Sequence, residues 1–255
     1  MKGNVKLTIL IPVRNEGVNI PVMLRVLEAV VEAPHEVLVV YDSPDDDTVP
    51  AVKAMQGKYP NVRLVENRLG LGVDNAIRAG VAASAGEYIL IFAADEVGPV
   101  LAIEDMMTLL DDGCDLVSCT RYAHGGRRLG GSLVGGLLSR VGNRMLMLLS
   151  GSSFTDSTTG IKMFRKSIFD KIRLESKPVG WVVVFEIAIK AQAAGLKLGE
   201  VPIISIDRLY GGKSTFSVGP WLSEYLKWFI WAVRNLRGRS IPTPKLRIPK
   251  TTIVE

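Results

Sequence analysis

Short, uninterrupted apolar runs separated by stretches of helical period constrain this chain more than any other feature. Residues 7–12 form a β-branched run that ends in Arg14 and Asn15. Residues 36–41 hold Val37-Leu38-Val39-Val40 and close in the turn-rich segment 42–47. Residues 62–65 and 88–92 repeat the pattern. Between these runs, residues 17–32 place Ile20, Met23, Leu24, Val26, Leu27 and Val30 at helical spacing, and 48–56 and 73–83 read as further helices. A strand that is apolar at every position is buried on both faces. Such strands alternating with helices predict an α/β fold, a mostly parallel sheet with helices on both sides. Sheets of this kind bind ligands beyond the carboxyl ends of their strands. Segments 13–16, 42–47, 67–72 and 93–98 follow those ends and are polar or glycine-rich, so they are expected to line one crevice and not to serve only as solvated loops.

The second half changes character. Residues 115–120 read as a strand. Residues 125–151 are glycine-studded and basic and contain an amphipathic run over 129–149. Residues 162–169 and 182–194 read as strand then helix, 201–206 as a strand leading into 207–216, and 221–236 as a helix rich in aromatic side chains. The tail, 237–255, carries three prolines and five basic residues and reads as extended. With 255 residues, 47% of them hydrophobic and 22% charged, the chain suits one generous domain and is too apolar for disorder. Cys114 and Cys119 are the only cysteines. They exclude a disulfide scaffold, lack the spacing of a structural zinc site and suggest a reducing compartment. His35 and His124, the only histidines, leave little room for a histidine-rich metal site. The N-terminal apolar stretch stops at Arg14 and reads as a strand, not a signal peptide. No run reaches the roughly 18 apolar residues of a membrane-spanning helix. A net charge of +5 favours polyanionic company. Nucleic acid is disfavoured, because no basic stripe with interleaved aromatics occurs outside the last helix.

Several segments carry groups suited to chemistry. Asp42 and Asp46 follow a buried strand, where a carboxylate can accept hydrogen bonds from a base or ribose, or can simply build a turn. Asp95 and Glu96 follow the strand 88–92. Carboxylates there can hold a divalent cation that bridges a diphosphate, with an N-cap for the helix over 99–110 as the alternative use of Asp95. Arg68, Gly70 and Gly72 lie where a loop opens into a helix, and glycine lets backbone approach a phosphate there. Arg208, Lys213 and Ser214, around two glycines, can close over a diphosphate or form a surface turn.

Taken in order, these pieces resemble family-2 glycosyltransferases of the GT-A fold, and within them the polyprenyl-phosphate (dolichol-phosphate) mannosyltransferase group. Ile11-Pro12-Val13-Arg14-Asn15-Glu16 is similar to the opening P-x-x-N-E. Residues 39–48 are similar to V-V-D-D-x-S-P-D-G-T, 68–72 to R-x-x-G-L-G, and Thr120-Arg121-Tyr122 with Gly125-Gly126 to S-R-Y…G-G. Residues 156–160 are similar to D-x-x-S-G, and Arg208 with Gly212-Lys213-Ser214 to R-x-x-G-x-S. The resemblance implies a GT-A domain over 1–236 with a basic tail at 237–255. It implies a nucleoside diphosphate sugar as donor, a polyprenyl phosphate as acceptor, inversion, and Mg²⁺ or Mn²⁺ as cofactor. It places Pro12, Arg14, Glu16 and Asp42 at the nucleotide, with Asp46, Arg68, Gly70, Gly72 and Ala94 in the donor-binding segments. Asp95 and Glu96 would hold the metal. Arg121, Asp156, Arg208, Lys213 and Ser214 would face phosphates or acceptor. Asp95, Arg208, Lys213 and Glu186 would serve catalysis. The first carboxylate of the family's D-x-D is here Ala93, the Gln two residues beyond it is Val97, and Tyr41 replaces the first Asp of the D-D pair. A saccharide or other soluble acceptor with Glu186 as base, and a nucleotide-sugar-binding homologue with impaired catalysis, are the alternatives.

Residues 127–149 pair Arg127, Arg128, Arg140 and Arg144 with Leu133, Val134, Leu137, Leu138, Val141, Met145 and Leu148, which recur at helical spacing. Basic amphipathic helices lie in membrane interfaces. Trp221, Trp228 and Trp231, followed by the basic tail, suit the same boundary. The expectation is a peripheral protein on the cytoplasmic membrane face, with room for a separate membrane protein as partner. The alternative is that both helices pack against the sheet.

Overall fold

The computed structural model describes residues 5–206 and 218–248, with backbone alone for 218–220. The sequence-predicted Arg208, Lys213 and Ser214 lie outside the described residues.

The first half follows the alternation of strand and helix: β1 (Leu7–Val13), α1 (Ile20–Val30), β2 (His35–Tyr41), α2 (Thr48–Met55), β3 (Val62–Glu66), α3 (Val73–Ala83) and β4 (Tyr88–Ile91). These are followed by α4 (Ile103–Asp111), β5 (Leu116–Thr120), β6 (Arg127–Leu129), α5 (Leu133–Ser150), β7 (Lys162–Arg165) and α6 (Val182–Ala193). Last come β8 (Leu198–Pro202), β9 (Ile204–Ile206), α7 (Val218–Leu236) and β10 (Lys245–Leu246). Among the described residues the main sheet has eight strands in the order β10-β8-β5-β7-β4-β1-β2-β3. Successive residues of the central strands enter different cores. Ile9, Ile11, Val37 and Val39 pack with Met23, Leu24 and Leu27 of α1 and Met106 and Leu110 of α4. Leu10, Leu38 and Val40 pack with Ile77 and Val81 of α3 and Val184 and Ile187 of α6. This two-sided burial is why the strands read as unbroken apolar runs. Gly80 lets α3 close on the sheet: a Cβ there would stand 2.4 Å from Leu10 Cδ1 and 3.1 Å from Val40 Cγ2.

One strand runs against the others. β7 is antiparallel to both β4 (Ile91 opposite Lys162) and β5 (Ser118 opposite Lys162). After β5 the chain makes a long excursion through β6 and α5 and re-enters the sheet between β4 and β5. The reversal brings the start of β7 to the edge where β4 and β5 end.

Several boundaries differ from expectation. The strand read over 201–206 is two strands: β8 in the main sheet, and β9, which pairs with β6 in a separate ribbon. The amphipathic run over 129–149 begins as strand β6. Its helix starts at Leu133, where the Ser132 hydroxyl accepts a bond from Gly135 N–H at 3.1 Å, and ends at Gly151 with φ +74°. The helix over 99–110 opens as a 3₁₀ turn at Gly98–Ala102, and neither it nor α4 is capped by a side chain. Asp95 is therefore not its N-cap. The strand over 162–169 stops at Arg165 and continues as a 3₁₀ turn. In the tail, β10 adds a parallel edge strand to β8, and Arg247 pairs with Asp105.

Candidate active site

A cleft of about 1600 Å³ opens at the edge where the parallel strands end. The segments after β1 and β2 and the start of α3 form one side. Ala93, Ala94, Asp95 and Glu96 form the middle. Arg121, Gly131, Ser132, Thr158, Gly160, Trp181 and Trp221 form the other side.

On the first side, acidic residues shape backbone. Asp46 is buried, and its carboxylate accepts from Asn15 N–H at 3.0 Å and Thr48 N–H at 2.8 Å. The Thr48 hydroxyl accepts from Glu16 N–H at 2.9 Å, and Asp47 from Gly17 N–H at 2.8 Å. These bonds clamp the 15–17 loop, in which Asn15 takes a positive φ of 56°, so Pro12, Arg14 and Glu16 reach the cleft from a set backbone. Asp42 accepts from Asn67 Nδ2 at 2.7 Å and Gly72 N–H at 2.9 Å while also lining the cleft. Asp46 lines the cleft as well, with its carboxylate bonded to backbone N–H groups of the turn. Gly72 has φ +111°, and a Cβ there would meet Pro178 at 2.8 Å. Arg68 is exposed, pairs with Glu66 at 2.7 Å and does not line the cleft. Gly70 serves the turn, with φ +117°. Tyr41 packs toward the α1–α2 core instead of into the cleft.

In the middle, Asp95 and Glu96 face the cleft just past β4, beside the half-buried Ala93. Among the described residues, no three His, Cys, Asp or Glu side chains form a metal-holding group. Two carboxylates do not enclose a cation alone. Mg²⁺ commonly takes one or two carboxylates together with substrate phosphate oxygens and water. This donor set fits a divalent cation that enters with a diphosphate, not an ion held by protein alone.

On the far side, Arg121 and the fully buried Asp156 form a forked pair, Nε–Oδ2 2.7 Å and Nη2–Oδ1 3.0 Å. Arg121 lines the cleft and Asp156 lies beneath it. Burial pushes the Asp156 carboxyl up, but the adjacent guanidinium outweighs this and holds it below the usual range. Asn143 of α5 donates to Asp156 at 3.3 Å and to Thr158 Oγ1 at 2.9 Å, and accepts from Ser157 N–H at 2.8 Å. Lys162, wholly buried, donates to Ser118 Oγ at 2.9 Å. Burial lowers its pKa to about 8, with Asp156 pulling the other way. Glu200 is pushed up to about 7 by burial, against hydrogen bonds from the Thr155 hydroxyl and N–H. The sequence reading missed Lys162, although a lysine inside an apolar strand signals a buried charge that needs a partner.

Glu186 does not reach the cleft. It is fully buried, accepts from Glu175 N–H at 2.6 Å and Ser176 N–H at 2.9 Å, and pairs with Lys190 at 2.7 Å. A carboxylate so engaged is unsuited to act as a base. It positions the segment that leads through Pro178 and Gly180 to Trp181. Glu224 of α7 assists by accepting from Lys177 N–H at 3.2 Å.

α5 is inverted relative to an ordinary surface helix. Its protein-facing side carries Ser139, Asn143, Leu146 and Ser150, and the first two bond to the Arg121–Asp156–Thr158 group. Its outward side is largely apolar, with the exposed Arg140 and Arg144 among the apolar residues: Leu133, Leu137 and Leu148 are 89%, 65% and 77% exposed, with Val134, Leu138, Val141 and Met145 beside them. The expected apolar face is thus present and, among the described residues, uncovered. The tryptophans of α7 behave differently from expectation. Trp228 is buried against α6, Trp231 is half-buried and Trp221 lines the cleft. Leu222, Leu226 and Ile230 are exposed apolar residues of that helix.

A mostly parallel sheet with a reversed strand, and a cleft built from strand-end loops around a carboxylate pair, give the architecture of the GT-A fold. Residues 8–173 match the glycosyl transferase family 2 profile, and the chain belongs to that family. It is 25% identical over 233 residues to the dolichol-phosphate mannosyltransferase of Pyrococcus furiosus, covering 88% of this chain and 64% of that protein. It is 24% identical over 211 residues to the dolichyl-phosphate beta-glucosyltransferase ALG5C of Trichomonas vaginalis (77% and 62%). It is 23% identical over 207 residues to glycosyltransferase AglD of Haloferax volcanii (79% and 33%). The chain therefore spans less than two thirds of the length of these relatives. The fold is also that of glucosyl-3-phosphoglycerate synthase from Mycobacterium tuberculosis, solved with Mn²⁺, UDP-glucose and phosphoglyceric acid. The TM-score is 0.70 at 16% identity, covering 98% of this chain and 83% of that one.

Proposed function

We propose that this glycosyltransferase moves a hexosyl group from a nucleoside diphosphate sugar to a polyprenyl phosphate, working peripherally on the cytoplasmic face of a membrane. The observation that carries this reading is α5. Its polar side is bonded to the Arg121–Asp156 group of the cleft, and its apolar side is exposed among the described residues. A lipid acceptor needs its phosphate at a cation and its chain in an apolar phase, and this helix joins the two. The dolichyl-phosphate names of two relatives support the same acceptor.

The donor nucleotide would lie over the β1 and β2 loops. Asp95 and Glu96 would hold Mg²⁺ or Mn²⁺ with the diphosphate, supplying charge neutralisation for the leaving group. A phosphate acceptor is already ionised at neutral pH, so transfer with inversion needs no strong general base, in keeping with the burial of Glu186. The chain's own work is to align donor and acceptor and to hold Arg121 charged at the acceptor side.

The test is nucleoside diphosphate release from GDP-, UDP- and dTDP-sugars, with polyprenyl phosphate or phosphoglyceric acid as acceptor and with or without Mg²⁺ or Mn²⁺. Release that requires the lipid supports the proposal. Release driven by phosphoglyceric acid alone replaces it with a soluble acceptor, and no release from any donor refutes it.

A further inference from the structure

Resting on the donor reading above, we propose that Trp181 is the platform on which the donor's hexosyl ring lies. Along the cleft edge the strands run β2, β1, β4, β7, β5. Asp42 follows β2, Arg14 and Glu16 follow β1, Asp95 follows β4, Gly160 precedes β7 and Arg121 follows β5. A donor laid nucleoside-first over β2 and β1 brings its diphosphate to Asp95. An acceptor anion at Arg121 stands two strands further on, about 10 Å away at ordinary strand spacing. The sugar must occupy the interval between them, over the start of β7.

The residue at that point is Gly160, and Trp181 lies directly on it. A Cβ at position 160 would stand 3.2 Å from Trp181 Cε3 and 3.3 Å from Cζ3. The absence of a side chain there lets the indole sit against the backbone while it lines the cleft. Its position is set from behind. Glu186 holds the segment before it by the N–H groups of Glu175 and Ser176, and Pro178 is seated on Gly72. One face of a pyranose presents C–H groups, and a flat, preorganised indole matches it while leaving the hydroxyls at the rim to polar partners. The geometry makes Trp181 specific for the sugar part of the donor, separate from the loops that take the nucleotide.

The experiment is calorimetric titration of the full chain with UDP, UDP-glucose, GDP and GDP-mannose, comparing wild type with Trp181→Ala, Trp181→Phe and Gly160→Ala. For the nucleotide that wild type binds, Trp181→Ala should weaken the sugar nucleotide about tenfold and leave the free diphosphate within about twofold, the difference expected from lost apolar contact with the ring. Trp181→Phe should recover most of the loss. Gly160→Ala, which lifts the indole without altering it, should reproduce the selective loss should Trp181→Ala fail to fold. Equal weakening of diphosphate and sugar nucleotide, or no weakening of either, overturns the platform. Wild type binding none of the four ligands overturns the donor reading itself, an outcome distinct from loss of selectivity in the variants.

Discussion

Arg121 and Asp156 meet through two parallel hydrogen bonds of 2.7 and 3.0 Å, with the carboxylate wholly buried and the guanidinium reaching the cleft. The buried Lys162 also attracts Asp156 electrostatically, so one carboxylate feels two cations. Removing one partner of a buried pair leaves the other charge uncompensated, which costs about 3–5 kcal/mol. Asp156→Ala should therefore lower unfolding free energy by about that much in urea titrations. Asp156→Asn keeps one acceptor oxygen but turns an amide NH2 toward groups that all donate, so it should lose stability as well as most of the transfer activity. Full activity in Asp156→Asn would show that the charge on Asp156 does not matter to Arg121.

Glu200 makes stability depend on pH. Burial pushes its carboxyl up to about 7 in the folded state, against an ordinary value of 4.5. Between those values the folded state holds a proton that the unfolded state has released, so stability falls as pH rises from 4.5 through 7. The shift corresponds to something on the order of 3 kcal/mol. Glu200→Gln should remove that slope between pH 5 and 7.5 in urea unfolding. A variant whose slope matches wild type would assign the pH dependence elsewhere.

Among the described residues, Leu133, Leu137 and Leu148 on the outward face of α5 belong to no core cluster. Replacing Leu133, Leu137 and Leu148 together by Ser should leave unfolding free energy within about 0.5 kcal/mol for each exposed site. The same variant should lose co-sedimentation with anionic vesicles, because apolar area drives interfacial binding. A large loss of stability would mean that the face is covered in the native protein.

Gly80→Ala sets two effects against each other. Helix propensity favours Ala by about 1 kcal/mol. The new Cβ would lie 2.4 Å from Leu10 Cδ1 and 3.1 Å from Val40 Cγ2, both fully buried in the same core. Overpacking of this kind costs about 1–3 kcal/mol, so it should win and the melting temperature should fall. An unchanged or raised melting temperature would show that α3 can shift on the sheet.

How much of this was legible in the sequence follows from where the information resides. The strands of the first half and the edge that bears the cleft were readable because a two-sided core leaves unbroken apolar runs at Val37–Val40 and Tyr88–Ile91. The reversal of β7 was not, because strand direction is decided by the long excursion through α5 and not by local pattern. The pairing of β6 with β9 and of β10 with β8 joins short segments distant in sequence, which carry no periodicity of their own. Glu186 had the right chemistry for a site, but its carboxylate is buried away from the cleft and taken by backbone N–H groups. No spacing rule separates an acid that binds backbone from one that binds ligand. Trp228 and Leu226 share one helix, and only the packing of α6 decides that the tryptophan is inside and the leucine outside.

Ala93 offers the most direct probe of how the cleft handles a cation. It lines the cleft two residues before Asp95, where the family resemblance has a carboxylate, and it is half-buried. Asp95 and Glu96 alone bind a divalent ion only with diphosphate oxygens to complete the shell, so calorimetry with Mn²⁺ alone should show weak binding that tightens when UDP or GDP is present. Ala93→Asp adds a third oxygen donor and should tighten Mn²⁺ about tenfold without nucleotide, a gain of roughly 1.4 kcal/mol. Asp95→Ala should remove the nucleotide-dependent tightening and abolish transfer. Transfer that persists at the wild-type rate in Asp95→Ala would remove the carboxylates from the mechanism and leave the diphosphate to be neutralised by the chain's cations.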